Sequence, residues 1–153
     1  MTPKKKVVDW LNQMLSHEIA AVAQYMDHHV RYKALGYGKL AGESEAEAKD
    51  EMKHVERIME RILFLGIPLQ YFKHNNPELR KDPEAMIQDD LTLEEKAIED
   101  YNQAAKSCRE AGDIGTALLF EDLLKDEEAH SDVLRRHLRL LEAHGKEYLL
   151  DLL

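Results

Sequence analysis

Two short stretches, "DEMKH" at residues 50–54 and "DEEAH" at residues 126–130, share the form Asp-Glu-x-x-His. On a helix, the i,i+3 step brings the Glu and His of each stretch onto one face. One Glu-x-x-His step carries little by itself, because the chain is rich in glutamate and has eight histidines. The residues upstream carry more. Glu18 lies 33 residues before Glu51, and Glu94 lies 33 residues before Glu127. Tyr25 and Tyr101 each follow those first glutamates by seven residues. A shift of 76 residues therefore lays Glu18, Tyr25, Asp50, Glu51 and His54 on Glu94, Tyr101, Asp126, Glu127 and His130. The chain reads as two copies of one helix hairpin.

The hydrophobic pattern supplies the helices. Val7, Leu11, Met14, Val22, Tyr25 and His29 recur at three- and four-residue steps. They predict a first helix, opened by Thr2-Pro3 with the proline in the first turn, that runs to about Leu35, where Gly36 and Gly38 break it. A second runs from about Lys39 to Leu65 and is ended by Gly66 and Pro68. Asp82-Pro83 is a cap followed by a first-turn proline, which starts a third helix ending at Ala111. Gly112 closes it, and Asp113 caps a fourth that reaches about His144. The tail "KEYLLDLL" makes a short fifth helix, whose Leu149, Leu150, Leu152 and Leu153 predict packing on the bundle or on other subunits. Helices one and two, and three and four, are joined by a few residues and should be antiparallel. The link between the pairs is long enough to run back along the bundle and leave helices two and three parallel. The expected fold is all-α: one domain over residues 1–153, a single-crossover four-helix bundle.

Composition bounds the function. The net charge is −9, which disfavours nucleic acid and anionic membrane as partners. The single cysteine, Cys108, excludes an internal disulfide and points to a reducing compartment. No apolar run reaches membrane-spanning length, and the basic start lacks the apolar core of a signal peptide, so a cytoplasmic protein is expected.

Glu18 sits inside the Val7–Tyr25 stripe, and Glu94 inside Ile87–Leu91–Ile98–Tyr101–Ala105. Glu51 and His54 precede Ile58, Ile62 and Leu65 on one face, and Glu127 and His130 lie among Phe120, Leu123, Leu134 and Leu138. Each acid thus falls in the seam its helix should bury. Clustered buried carboxylates are costly unless protonated or bound to cations, and two divalent ions balance four of them. Four Glu and two His are the ligand set of di-iron and di-manganese carboxylate bundles. The oxygen-rich set with two imidazoles suits Fe or Mn, and no thiolate is present for a structural zinc site. Two other functions share this site: a di-iron or di-manganese peroxidase or catalase-like enzyme without storage, and a non-catalytic bundle that binds metal for structure.

At these residues the chain resembles bacterioferritin, a family of the ferritin-like superfamily. The matching stretches are "LNQMLSHEIAAVAQY", "DEMKHVERIMERILFLG", "DDLTLEEKAIEDY" and "LLKDEEAHSDVL". The resemblance implies a ferritin-like bundle with two non-haem Fe per subunit. It implies ferroxidase chemistry that oxidises Fe(II) with O2 or H2O2, and ferric mineral stored in a 24-subunit shell built from two-fold dimers. It also implies that Glu51 and Glu127 bridge the metals, that Glu18 and Glu94 are terminal ligands, and that His54 and His130 each complete one metal. Tyr25 would stand beside the centre as an electron donor, and Glu47 and Asp50 would pass iron between centre and cavity. Met52 would ligate haem b, one per dimer at most, and a ferredoxin would serve iron release. The chain departs from the family in three places. Lys49 and Glu45 charge the stripe of Met52, Ala46 stands where a His is common, and the link "PLQYFKHNNPELRKDPEA" differs from the usual loop. Glu43 and Glu45 themselves read as a solvated acidic face.

Overall fold

A computed structural model describes residues 2–70 and 82–153. Four long helices follow one another: α1 (Lys5–Leu35), α2 (Gly38–Phe64), α3 (Pro83–Glu110) and α4 (Ile114–His144). A 3-10 helix, Gly145–Leu152, closes the chain, and no strand occurs among the described residues. The expected link between the hairpins falls mostly on residues 71–81, outside the described residues.

Local chemistry sets the helix ends. Gly36 adopts φ 87°, the left-handed cap that stops α1, and Gly112 at φ 82° does the same after α3. The Asp82 side chain accepts from the Glu84 N–H at 3.2 Å, with Pro83 in the first turn. Asp113 caps α4 more firmly, accepting from the Thr116 N–H at 2.9 Å and the Thr116 hydroxyl at 2.7 Å. Pro3 differs from expectation: α1 begins at Lys5 with Lys4 as cap, so the proline lies before the helix.

α1 packs along α2 and α3 along α4, while α1 also meets α3 and α2 meets α4. The cross-helix contacts fix direction. Tyr25 of α1 bonds Glu94 of α3 and Glu18 bonds Tyr101, so rising numbers on α1 meet falling numbers on α3. Arg57 reaches Asp122 and Arg61 reaches Asp113, which makes α2 and α4 antiparallel likewise. With α1 antiparallel to both α2 and α3, helices α2 and α3 run parallel, as the single-crossover reading requires.

Two apolar clusters fill the ends of the bundle. One gathers Leu11, Met14, Ile58, Tyr101, Cys108, Phe120 and Leu123. The other gathers Tyr32, Leu40, Met86, Ile87, Leu134 and the tail's Leu149 and Leu152. The tail expectation thus divides: Leu149 and Leu152 are core, while Leu150 and Leu153 are exposed. Cys108 is wholly buried and unbonded, and burial pushes its thiol up to about 11, the behaviour of a small core residue. Between the two clusters lies a belt of acids and histidines.

Candidate metal centre

Glu18, Glu51, Glu94 and Glu127, one from each long helix, are all 0% exposed. His54 Nδ1 lies 2.9 Å from Glu51, 2.9 Å from Glu127 and 3.5 Å from Glu18. His130 Nδ1 lies 3.2 Å from Glu51, 3.5 Å from Glu94 and 4.0 Å from Glu127. The two imidazoles are stacked, 6.1 Å apart at 14°. Two sets of donor atoms are close enough to hold a cation: Glu18, Glu51, His54 and Glu127, and Glu47, Glu51, Glu94 and His130. Glu51 belongs to both. One carboxylate oxygen on each of Glu18, Glu51 and Glu94, and both on Glu127, are buried with no hydrogen-bond partner. Orphaned acceptors of this kind fit a cation that would satisfy them.

The surrounding residues orient this set. Tyr25 donates its hydroxyl to Glu94, and Tyr101 donates to Glu18, each across from the other hairpin. His54 Nε2 lies 2.9 Å from Asp126. His130 Nε2 lies 2.9 Å from Glu47 and 3.6 Å from Asp50. A carboxylate on the far nitrogen fixes the ring and leaves Nδ1 aimed at the cluster. Glu47 therefore stands against His130 and joins the second set, and Asp50 stands beside it. Tyr101 and Asp126 carry the same contacts as Tyr25 and Asp50 in the other half. Their signal in the sequence was the 76-residue register that pairs them. The contact of Glu43 differs from a plain solvated face, since its carboxylate lies 2.6 Å from His137 Nε2. Glu45 pairs with Lys49 at 3.3 Å, and Met52 is 55% exposed on the outside of α2.

The protons divide unevenly among the four acids. Burial pushes Glu51 well above the usual carboxylate range, and the neighbouring Glu18 charge adds to it. Burial and the Glu18 charge likewise push Glu127 up to about 11. Glu18 is also penalised by burial, but the adjacent Glu51 carboxyl and His54 ring overcome this and lower it to about 2. Glu94 is lowered against the same burial penalty by His130, Glu127 and Tyr25. Burial opposes charge on His54 and His130, yet the surrounding carboxylates raise both well above the ordinary imidazole value. A uniform rise across four like charges is therefore not the pattern. Glu51 and Glu127 are shifted upward, Glu18 and Glu94 downward, and both imidazoles upward, so the four acids are not equivalent.

These features define the class of the molecule: a four-helix carboxylate–histidine bundle of the ferritin-like kind. The ferritin-like domain family is matched by residues 8–143. A bacterioferritin of Rhodobacter capsulatus is 34% identical over 142 residues, covering 93% of this chain and 88% of the relative. A bacterioferritin of Desulfovibrio desulfuricans is 37% identical over 127 residues, covering 83% and 71%. One of Streptomyces coelicolor is 35% identical over 147 residues, covering 95% and 87%. The chain belongs to the bacterioferritin family.

The proton pattern predicts a pH dependence for protein stripped of metal. Glu51, Glu127, His54 and His130 have raised values, so each contributes stability that is full below its unfolded value and lost as pH rises through the folded one. Glu18 and Glu94 are lowered, so their contribution is present above the unfolded carboxylate value and lost as pH falls. Stripped protein should be most stable in mild acid, and should weaken between about pH 6 and about pH 8, where the unfolded imidazoles shed protons that the fold retains. Loading with Co(II) should flatten that loss. Urea denaturation of both forms across this range measures it, and superimposable pH profiles would contradict the shared buried cluster.

Proposed function

We propose that the chain stores iron, oxidising Fe(II) at a di-metal site inside each bundle and depositing ferric mineral within a shell of its own copies. The observation that carries this reading is the pair of donor sets sharing Glu51 at the bundle centre, buried except for the half-buried Glu47. Membership of the bacterioferritin family supports the storage role and a shell of 24 subunits assembled from two-fold dimers.

In this reading Fe(II) is the substrate, and two ferrous ions side by side can pass two electrons to O2 or H2O2. Glu18 and His54 hold one ion, Glu94 and His130 hold the other, and Glu51 and Glu127 serve both. Binding requires Glu51 and Glu127 as carboxylates and the two imidazoles neutral at Nδ1, so any proton these raised groups hold is released as a cation enters. Tyr25 and Tyr101 keep Glu94 and Glu18 from swinging. Asp126 and Glu47 hold the rings of His54 and His130. Burial of all four acids keeps bulk water from the ions and strengthens their attraction to the carboxylates. Glu47 and Asp50, at the edge of the site, are suited to accept oxidised iron leaving it.

Haem is a separate matter. Met52 is exposed on α2, and Ile19 and Val22 on α1 are half-buried beside an exposed Met26. Lys49 and Glu45 neutralise each other, and Lys49 remains exposed and able to pair with a propionate. Haem b between two copies would be held by the exposed Met52 thioether of each, one haem per dimer at most. The chemistry it would supply is electron transfer toward the mineral.

Iron oxidation tests the main reading. Glu18→Ala should weaken one ion and slow Fe(II) oxidation, and Glu127→Ala should slow it more than about a hundredfold, beyond what loss of an outer-shell partner costs. Wild-type rates in Glu127→Ala would exclude the di-metal assignment. Size-exclusion chromatography after iron loading separates storage from a peroxidase-like enzyme: a large iron-retaining shell is expected, and a small species that turns over peroxide without retaining iron is not. For haem, protein expressed with haem supplied should show a Soret band that Met52→His alters. A band indifferent to that change, or none in the parent, removes Met52 as ligand.

A further inference from the structure

The two hairpins are joined where α1 meets α3, and both donor sets draw on both hairpins. The Tyr25–Glu94 and Tyr101–Glu18 bonds cross that seam and match under the 76-residue shift. Their neighbours do not match. The shift lays Gln24 on Asp100, His28 on Ala104 and Asp90 on Met14. Met14 and Ala104 are 0% exposed and belong to the apolar cluster that holds Phe120, while Asp100 pairs with Lys96 of its own helix at 2.9 Å. Close packing therefore backs the Tyr101–Glu18 bond.

The Tyr25–Glu94 bond is backed differently. Asp90 is 2% exposed and stands one turn before Glu94 on the same face of α3. Its carboxylate accepts from the Gln24 amide at 2.8 Å. His28 Nδ1 lies 2.9 and 3.0 Å from its two oxygens, and His28 is 1% exposed. Gln24 and His28 flank Tyr25 on α1, one residue before it and three after. These contacts and the Tyr25 bond pin one stretch of α1 to the turn of α3 that carries Glu94. Packing alone does less here, because a cavity of about 360 Å3 borders Tyr25, Ile87 and Asp90. A buried Asp–His pair is costly to desolvate, and apolar side chains like those of the other half would serve stability as well or better. What the polar trio adds is a directional hold on how α1 registers against α3.

We propose that Asp90, clamped by Gln24 and His28, is a positioning residue for the Tyr25–Glu94 bond and thereby for the ion of Glu94 and His130, resting on the di-metal reading above. It holds the helix register where packing is open. Tyr25 then keeps one carboxylate oxygen of Glu94 and leaves the other, which is buried and without a hydrogen-bond partner, for the ion. The ion of Glu18 and His54 does not depend on the clamp, since Met14 and Ala104 back Tyr101 by packing.

Co(II) is the probe, since its visible bands report affinity without iron oxidation. His54→Ala removes a ligand from one site and leaves the Glu94–His130 site, and His130→Ala leaves the other. Each background receives His28→Ala together with Asp90→Met, the residues that the other half carries at those places. In the His54→Ala chain this pair should weaken Co(II) binding about tenfold to a hundredfold, the range that loss of a partner behind a metal ligand costs. In the His130→Ala chain it should change nothing. Asp90→Asn should keep near-parent affinity at both sites, because its amide can accept from Gln24 and donate to a neutral His28 Nδ1. Equal loss at both sites, no loss at either, or Asp90→Asn as weak as the paired substitution overturns the positioning role. If the paired substitution does not fold, Gln24→Ala at a half-buried position decides by the same two comparisons. Fewer than two Co(II) per chain in the parent protein would overturn the di-metal reading and the positioning role with it.

Discussion

Four carboxylates share one enclosed space at the centre of this bundle, and the rest of the structure answers to that crowding. Each long helix contributes one glutamate with no exposure to solvent. Left ionised and unpaired they would drive the helices apart. The fold meets this with two imidazoles from α2 and α4, two tyrosine hydroxyls from α1 and α3, and an upward shift of Glu51 and Glu127 that favours their protonated forms. Protonation and cation binding relieve the same repulsion, so each can stand in for the other. The same groups that make the stripped fold tolerable therefore make it receptive to metal.

Duplication explains why the arrangement is so regular. Each hairpin supplies Glu, Tyr, Asp and Glu-x-x-His in one order, and the tyrosine of one half bonds the first glutamate of the other. Neither hairpin holds a complete set, because the first cation set draws on Glu18, Glu51 and His54 from one half and Glu127 from the other. Beyond the donors the halves have diverged. One end became a close-packed core around Phe120 and Met14, and the other kept Asp90, Ser44 and Glu47 around a cavity.

Much of this was legible in the sequence, because helix faces follow spacing. Asp82 and Asp113 announced their helices, the glutamates sat in their apolar stripes, and the register paired the two hairpins. What spacing cannot express is which side chains meet across helices. His28 and Asp90 lie 62 residues apart, and the 76-residue shift lays them on Ala104 and Met14, so nothing periodic marked them. Glu43 read as solvated because the sequence did not show His137 lying opposite. The uneven protonation of the four acids was hidden for the same reason: it depends on which imidazole and which tyrosine each carboxylate faces. Pro3 lies just before the helix, which begins at Lys5 after an extended Lys4 whose side chain makes no capping bond.

The central claim is that these six side chains form one site for two metal ions, and anomalous diffraction tests it most directly. Crystals loaded anaerobically with Fe(II) should give two anomalous peaks per chain inside the bundle. One should lie beside Glu18 and His54, the other beside Glu94 and His130, with Glu51 and Glu127 reaching both. A single central peak, or iron found only on the acidic surface while the four glutamates keep their mutual contacts, would contradict the account.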